Sequence, residues 1–138
     1  MMGLSIRQGD TPLHVAVRNE NKEEVERLIK NKALINKRDA DDMTALMIAS
    51  RNGLTDIAAL LISTINNVNF QTSNGTTALM FACEMGHFDT VKLLVQKEAK
   101  VNLNNENNVT ALTIAGHAGY TAIKRFLLSN GAKNTSLN

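Results

Sequence analysis

The chain has few of the residues that build a large globular core or a disulfide framework. Aromatic residues make up 4% of its 138 residues, tryptophan is absent, and there are one proline and one cysteine. A single cysteine excludes an internal disulfide and fits a reducing compartment. With a hydrophobic content of 43%, small and aliphatic side chains must fill the interior. This composition favours thin layers of closely packed helices over one large core.

Long apolar runs and a strong charge of one sign are also missing. No stretch approaches the roughly 20 apolar residues that cross a bilayer, and the first residues lack the apolar core of a secretion signal. We therefore expect a cytoplasmic protein that binds no membrane; a secreted, host-directed or periplasmic protein is the alternative if a signal has been removed. The formal net charge of +2 is too weak to predict nucleic-acid binding, which needs a clustered basic face.

What the chain does contain is a four-fold repeat with a period of 33 residues. A fixed period of this size is typical of a stacked array. Four copies account for nearly the whole length, so we predict one domain over residues 1–138, with repeats at about 6–38, 39–71, 72–104 and 105–138. The tetrapeptides that mark the period are Thr11-Pro12-Leu13-His14, Thr44-Ala45-Leu46-Met47, Thr77-Ala78-Leu79-Met80 and Thr110-Ala111-Leu112-Thr113.

Four alignment columns hold one residue type in every copy, and each has a physical role. The threonine suits a helix N-cap, where its hydroxyl accepts from a free backbone N–H, and Pro12 then occupies the first helical position. The leucine and the alanine three residues later share one helical face. The columns are the four threonines, Leu13/Leu46/Leu79/Leu112, Ala16/Ala49/Ala82/Ala115 and Leu28/Leu61/Leu94/Leu127.

A second helix is predicted in each copy, because apolar residues recur there at steps of three and four. Gly53, Gly86 and Gly119 precede it at one equivalent position, as expected of a turn with positive φ. Polar links rich in Asn and Asp then join the copies as turns or short hairpins. The predicted second helices are Lys22 to Lys30, Thr55 to Ser63, Phe88 to Gln96 and Thr121 to Ser129.

These motifs resemble the ankyrin repeat. Thr11-Pro12-Leu13-His14-Val15-Ala16 matches the opening motif of that family, and Gly86-His87-Phe88-Asp89-Thr90-Val91-Lys92-Leu93-Leu94 is similar to its second helix. The resemblance runs from about Ile6 to Lys133. It implies an all-α ankyrin-repeat solenoid of four helix-turn-helix repeats with projecting hairpin-like loops.

Two copies depart from the family pattern. Glu20 replaces the turn glycine of the first copy, so either that turn is rebuilt or the first copy acts as a cap. Ile65-Asn66-Asn67 replaces the usual Gly-Ala-Asp of the second copy, so we expect a local difference there. The terminal repeats of solenoids need polar outer faces. Asn21 to Glu26 at one end, and Lys124, Arg125 and the tail from Lys133 at the other, supply them and predict a complete, monomeric array.

No group of residues predicts catalysis, a metal site or a cofactor. Cys83 aligns with small residues of the other copies and is expected to be a buried small side chain. His14 and His87 are expected to be structural, and the three histidines and one cysteine lack the converging ligands that zinc requires. No phosphate-binding glycine loop or nucleophile–base set is present. We therefore predict that the chain is not an enzyme.

In ankyrin-like arrays the concave groove is lined by loop tips and by the exposed part of the first helices. The resemblance thus implies a protein-binding groove in a stand-alone adaptor or regulator. Met47 and Met80 align with His14 and are expected to be packed, which leaves Met43 and Met85 as apolar candidates. The alternative function is binding of a small or anionic ligand at Arg18 and Arg51. The implied partner-binding residues are Arg7, Gln8, Asp10, Arg18, Asn19, Asp41, Met43, Arg51, Asn52, Asn74, Thr76, Glu84, Met85, Asn107, Val109 and His117.

Overall fold

The protein folds into consecutive helix pairs. A computed structural model describes residues 9–134, and within this range the chain forms eight helices and no strand. None of these helices is long and apolar enough to cross a membrane. The all-α prediction is therefore confirmed. The helices are α1 (Pro12–Arg18), α2 (Lys22–Lys30), α3 (Ala45–Arg51), α4 (Thr55–Ile62), α5 (Ala78–Glu84), α6 (Phe88–Gln96), α7 (Ala111–Ala118) and α8 (Thr121–Ser129).

Each first helix of a pair begins at a threonine cap, as predicted. The hydroxyl oxygens of Thr11, Thr44, Thr77 and Thr110 each accept a hydrogen bond from the backbone N–H three residues later, at 3.2–3.3 Å. Pro12 occupies the start of α1, where its missing N–H leaves no helical bond unmade. Loss of such a cap typically costs about 1 kcal/mol. The repeated threonine thus sets the same starting point for all four first helices.

The turn between the two helices of a pair has a left-handed residue in every copy. The φ angles of Gly53, Gly86 and Gly119 are 70°, 74° and 81°, and Glu20 adopts the same conformation with φ 57°. The first copy therefore keeps the common turn, and the glutamate accepts a strain of about 1 kcal/mol. Within residues 9–134, four further residues other than glycine have positive φ: Lys32, Asp42, Glu98 and Asn108.

The helices form two layers, and neighbouring helices pack more closely in one layer than in the other. The first helices (α1, α3, α5 and α7) contact one another more extensively than the second helices (α2, α4, α6 and α8) do. The layer of first helices is therefore the inner, concave side of the array. The invariant leucine and alanine of each first helix are buried. The small alanine permits this close approach, and the leucine fills the space between neighbouring pairs.

The turn glycines of α3 and α5 lie directly under side chains of the next repeat. A Cβ atom at Gly53 would stand 2.6 Å from the His87 ring, and one at Gly86 would stand 2.6 Å from the Tyr120 ring. The ring of His87 also bonds the carbonyl oxygen of Arg51 through Nε2, at 3.0 Å. At Gly119, the last turn, no atom lies within 4 Å of such a Cβ. Stacking of neighbouring repeats therefore requires the first two glycines for space as well as for φ.

The link after α4 differs from its equivalents, as predicted. Helix α4 ends at Ile62, one position before the predicted end. The hydroxyls of Ser63 and Thr64 donate back to the carbonyls of Leu60 and Leu61, at 2.6 and 2.9 Å. Ile65 is not left-handed, whereas the equivalent Lys32, Glu98 and Gly131 are. A β-branched residue disfavours that conformation, so this link takes another path and leaves an open depression of about 770 Å³ beside it.

Both outer faces of the described array carry charged residues at positions that are apolar elsewhere. Arg27 aligns with Leu60, Leu93 and Phe126, and it forms a two-bond ion pair with Glu24 at 2.9 and 2.5 Å. At the other face, exposed Lys124 aligns with Val25, Ala58 and Val91, which are fully buried. These faces are therefore suited to water, as the polar ends of the sequence predict.

Candidate functional site

The loop tips before α3, α5 and α7 share one compact turn. The N–H groups of Asp39, Thr72 and Asn105 donate to the carbonyls four residues later, at 3.0, 2.9 and 3.0 Å. The side chains of the same three residues accept from backbone N–H groups inside the turn. One isolated bridge, between Asn104 and Thr110, accompanies them. The tips are thus hairpin-like turns held by their own polar side chains.

Hydrogen bonds between tips join the loops into a ladder. The N–H of Ser73 donates to the carboxylate of Asp42, and the N–H of Glu106 donates to the carbonyl oxygen of Asn74 at 2.8 Å. The guanidinium of Arg38 reaches the carbonyl oxygen of Gln71 at 2.9 Å. Neighbouring tips are therefore fixed relative to one another, which lowers the entropy lost when a partner binds.

At the first repeat, charged side chains form ion pairs with one another and are not free to bind a ligand. Arg18 donates to Asp10 at 2.7 Å and also to Asp39. The Arg18 side chain is 20% exposed, while the two carboxylates are 0% and 2% exposed. The predicted basic pair of Arg18 and Arg51 is therefore not a pair of equivalent cations, because Arg18 is neutralised by its own repeat and the next.

Most of the other predicted binding residues lie on one open surface. We define the groove face as the loop tips together with the exposed C-terminal halves of α1, α3, α5 and α7. Thr76 and Val109 are half-buried within it. Arg7 and Gln8 lie outside the described residues. The exposed members of the face are Asn19, Asp41, Arg51, Asn52, Asn74, Glu84, Met85, Asn107 and His117.

Met43 was predicted as an apolar contact on this surface, and that prediction is wrong. Its exposed fraction is 6%, because the backbone of the residue is held in the turn. Its N–H donates to Asp39 at 2.9 Å, and its carbonyl oxygen lies 3.1 Å from Nε2 of His14. Met85, in contrast, is 49% exposed. Met85 is therefore the large apolar side chain that is exposed among the described residues of the groove face, while Met47 and Met80 are buried as predicted.

Asp39 is the residue that the sequence-based site omits. Its carboxylate closes the first described tip and also binds Arg18, which lies 21 positions earlier. A signal was present, because Asp39, Thr72 and Asn105 occupy one column and all three can accept from a backbone N–H. The pairing with Arg18 had no such signal, since the other copies do not repeat it.

His14 is structural, as predicted, because both of its ring nitrogens are bonded. Nδ1 lies 3.0 Å from the N–H of Thr11 and accepts from it. Nε2 must then carry the proton that is shared with the carbonyl oxygen of Met43. Among residues 9–134, no three His, Cys, Asp or Glu side chains form a group that could hold a metal ion.

Cys83 is fully buried in α5, and burial raises the pKa of its thiol to about 12. We predict that a thiol reagent labels the native protein at least about 100-fold more slowly than the unfolded protein at pH 8, because the thiolate is the reactive form. The folded state holds the proton more tightly than the unfolded state, so the free energy of unfolding should fall as the pH rises above 9. Labelling with and without denaturant, followed by mass spectrometry, measures the difference; equal rates would contradict the burial.

The comparison with known families agrees with this geometry. The sequence model of the family described as Ankyrin repeats (3 copies) matches residues 2–71 and 60–138, so the chain belongs to the ankyrin-repeat family. Ankyrin repeats are generally protein–protein interaction modules rather than enzymes. No curated protein matches the chain.

Proposed function

We propose that the protein is a monomeric, cytoplasmic adaptor or regulator that binds a partner protein through the groove face. The observation that carries this proposal is a contrast between alignment columns. The invariant leucines and alanines of the first helices are buried. Two adjacent columns at the ends of these helices are exposed, except at the half-buried Arg18, and change chemistry from copy to copy. They are Arg18/Arg51/Glu84/His117 and Asn19/Asn52/Met85/Ala118. Packing in the core explains why the leucine and alanine columns are invariant, and recognition of a partner explains why the two columns at the helix ends vary.

The shape of this face suits a macromolecule better than a small ligand. The residues are spread over four helix ends and three joined loop tips, and Met85 is an exposed apolar side chain among polar ones. Protein interfaces typically combine a few apolar contacts, which supply affinity, with a polar rim. The anionic-ligand alternative has weaker support, since Arg18 is already bonded to two carboxylates.

We predict that the double variant Arg51→Glu, Met85→Asp loses its partner. It reverses the charge at Arg51 and places a carboxylate where an apolar contact is expected, which should weaken binding by at least about 100-fold. The measurement is affinity capture from cells that contain the protein, with quantitative mass spectrometry of what is retained. Circular dichroism first establishes that the variant is folded.

The chain offers a matched control on another surface. Arg125→Glu, Leu128→Asp changes the same kinds of residue on α8, where Arg125 is exposed and Leu128 is 43% exposed. A partner protein should be retained by the wild type and by this control and lost from the groove variant. Equal retention by all three proteins would contradict binding through the groove face.

A further inference from the structure

Lysine residues are confined to the second helices and the links that follow them, and this placement restricts the partner. All nine lysines lie on second helices or on the links that follow them; none lies on a first helix or a loop tip. The layer of second helices with these links, which is the outer layer, is therefore more basic than the formal net charge of +2 for the whole chain indicates. The lysines are Lys22, Lys30, Lys32, Lys37, Lys92, Lys97, Lys100, Lys124 and Lys133.

On the groove face most positive charge is already bonded within the protein. Arg18 is held by Asp10 and Asp39, and Arg38 by Asp42 and a backbone carbonyl. Among the described residues of this face, Arg51 is the remaining lysine or arginine side chain, and it forms no ion pair within residues 9–134. It lies at the second repeat, near the first of the two array ends.

Carboxylates remain open at the third and fourth repeats. Glu84 at the end of α5 and Glu106 at the last tip are both exposed. Neither side chain forms an ion pair within residues 9–134. Met85 adjoins Glu84 in the chain and is the large apolar side chain exposed beside these acids. The unpaired charges at the third and fourth repeats are thus negative and surround the apolar Met85. At the second repeat the unpaired charge is positive, because Arg51 lies there.

We propose, on the basis of the proposed function, that the partner presents a basic polypeptide segment to the third and fourth repeats. Its lysine or arginine faces Glu84 and Glu106, a large apolar side chain covers Met85, and a carboxylate faces Arg51. Neighbouring helices pack about 8–10 Å apart, and an extended chain advances about 3.3 Å per residue. The acidic and basic residues of an extended segment are therefore about three positions apart.

A polypeptide fits these charges better than the other classes of macromolecule. Phosphates of nucleic acids and anionic lipid headgroups would meet Glu84 and Glu106, and like charges disfavour such contacts. The basic outer layer does not alter this, because it lies on the opposite layer of helices. Complementary charges chiefly set the association rate and the register, while a desolvated apolar contact supplies affinity.

The test is selection of random 12-residue displayed peptides on the immobilised full chain. We compare the wild type with Glu84→Lys, Glu106→Lys and with a control of equal net charge, Glu26→Lys, Glu98→Lys. Both control residues are exposed on the outer side. Lysine is already tolerated at the equivalent of Glu98, since Lys32 has the same left-handed conformation. Arginine is likewise tolerated at the equivalent of Glu84, where the second repeat has Arg51.

We expect the peptides selected by the wild type to share a lysine or arginine together with a large apolar residue. Their binding, measured by fluorescence anisotropy, should weaken at least about 10-fold in the groove variant and less than about 3-fold in the control. It should also weaken as the salt concentration rises.

Each other outcome overturns the inference in a recognisable way. Peptides that lose binding in the groove variant but lack basic residues would leave the proposed function intact and refute the basic partner. Peptides that bind all three proteins equally would refute both. No enrichment over a blank surface would refute recognition of a linear segment. Wild-type dimers in sedimentation that the groove variant abolishes would assign the face to the outer layer of a second copy.

Discussion

Replacing Leu94 by alanine is expected to lower the free energy of unfolding by about 2–5 kcal/mol. Leu94 lies in α6, has no exposed surface, and belongs to a column that is leucine in every copy. Truncation removes buried methyl groups and leaves a cavity, because the neighbouring repeats hold the surrounding side chains in place. A domain of this size is typically stable by about 5–15 kcal/mol, so the loss is a large fraction of the total.

Urea unfolding followed by circular dichroism measures this loss, and Leu34→Ala is its control. Leu34 is 70% exposed, and exposed substitutions typically change stability by less than about 0.5 kcal/mol. A similar small change for both variants would mean that α6 is not packed as described. Because repeat arrays can unfold in parts, the transition should be followed with a second probe as well.

The second large effect is expected for Gly86→Ala. The new Cβ would stand 2.6 Å from the Tyr120 ring, on a backbone with φ 74°. The left-handed conformation costs alanine about 1 kcal/mol, and displacement of a packed ring adds about 1–3 kcal/mol. We expect a loss of about 2–4 kcal/mol in the free energy of unfolding from the two effects together, measured by thermal or urea denaturation.

Gly119→Ala separates the two causes. Its φ of 81° is nearly the same, but no atom lies within 4 Å of the added Cβ. It should therefore lose only the part due to the backbone, about 1 kcal/mol. Adding Tyr120→Ala to Gly86→Ala should recover part of the loss if the ring is the obstacle. Equal losses for the two glycine variants would contradict the stacking of Tyr120 on Gly86.

The fold could be predicted because its determinants are local and recur. A threonine hydroxyl caps the N–H three residues later, and a turn glycine adopts a positive φ angle without steric strain. Each signal can therefore be recognised within a short segment. Glu20 shows the limit of such signals. A glutamate at the turn position left open whether the turn is rebuilt, and the turn is not rebuilt, since Glu20 takes the left-handed conformation of the equivalent glycines.

The groove face was less predictable, because contacts between repeats decide which side chains stay open. Met43 is buried through bonds to Asp39 and to His14, which lies 29 positions earlier. Arg18 is neutralised by Asp39, 21 positions later. The contacts of His14 with Met43 and of Arg18 with Asp39 have no counterpart in the other copies, so alignment of the repeats could not indicate them. Exposure of the Arg51, Glu84 and Met85 side chains followed the pattern, since His87 of the next repeat bonds only the backbone of Arg51.

The left-handed residues other than glycine have a consequence for engineering. Glu20, Lys32 and Glu98 each occupy a conformation for which the same chain uses glycine at equivalent positions, namely Gly53 and Gly131. Replacement of one of these residues by glycine would relieve up to about 1 kcal/mol of backbone strain. The entropy cost of ordering the more flexible glycine reduces this gain. These sites lie outside the core and the groove face. We therefore expect that glycine substitutions at these sites raise the thermal stability of the protein without altering its binding surface.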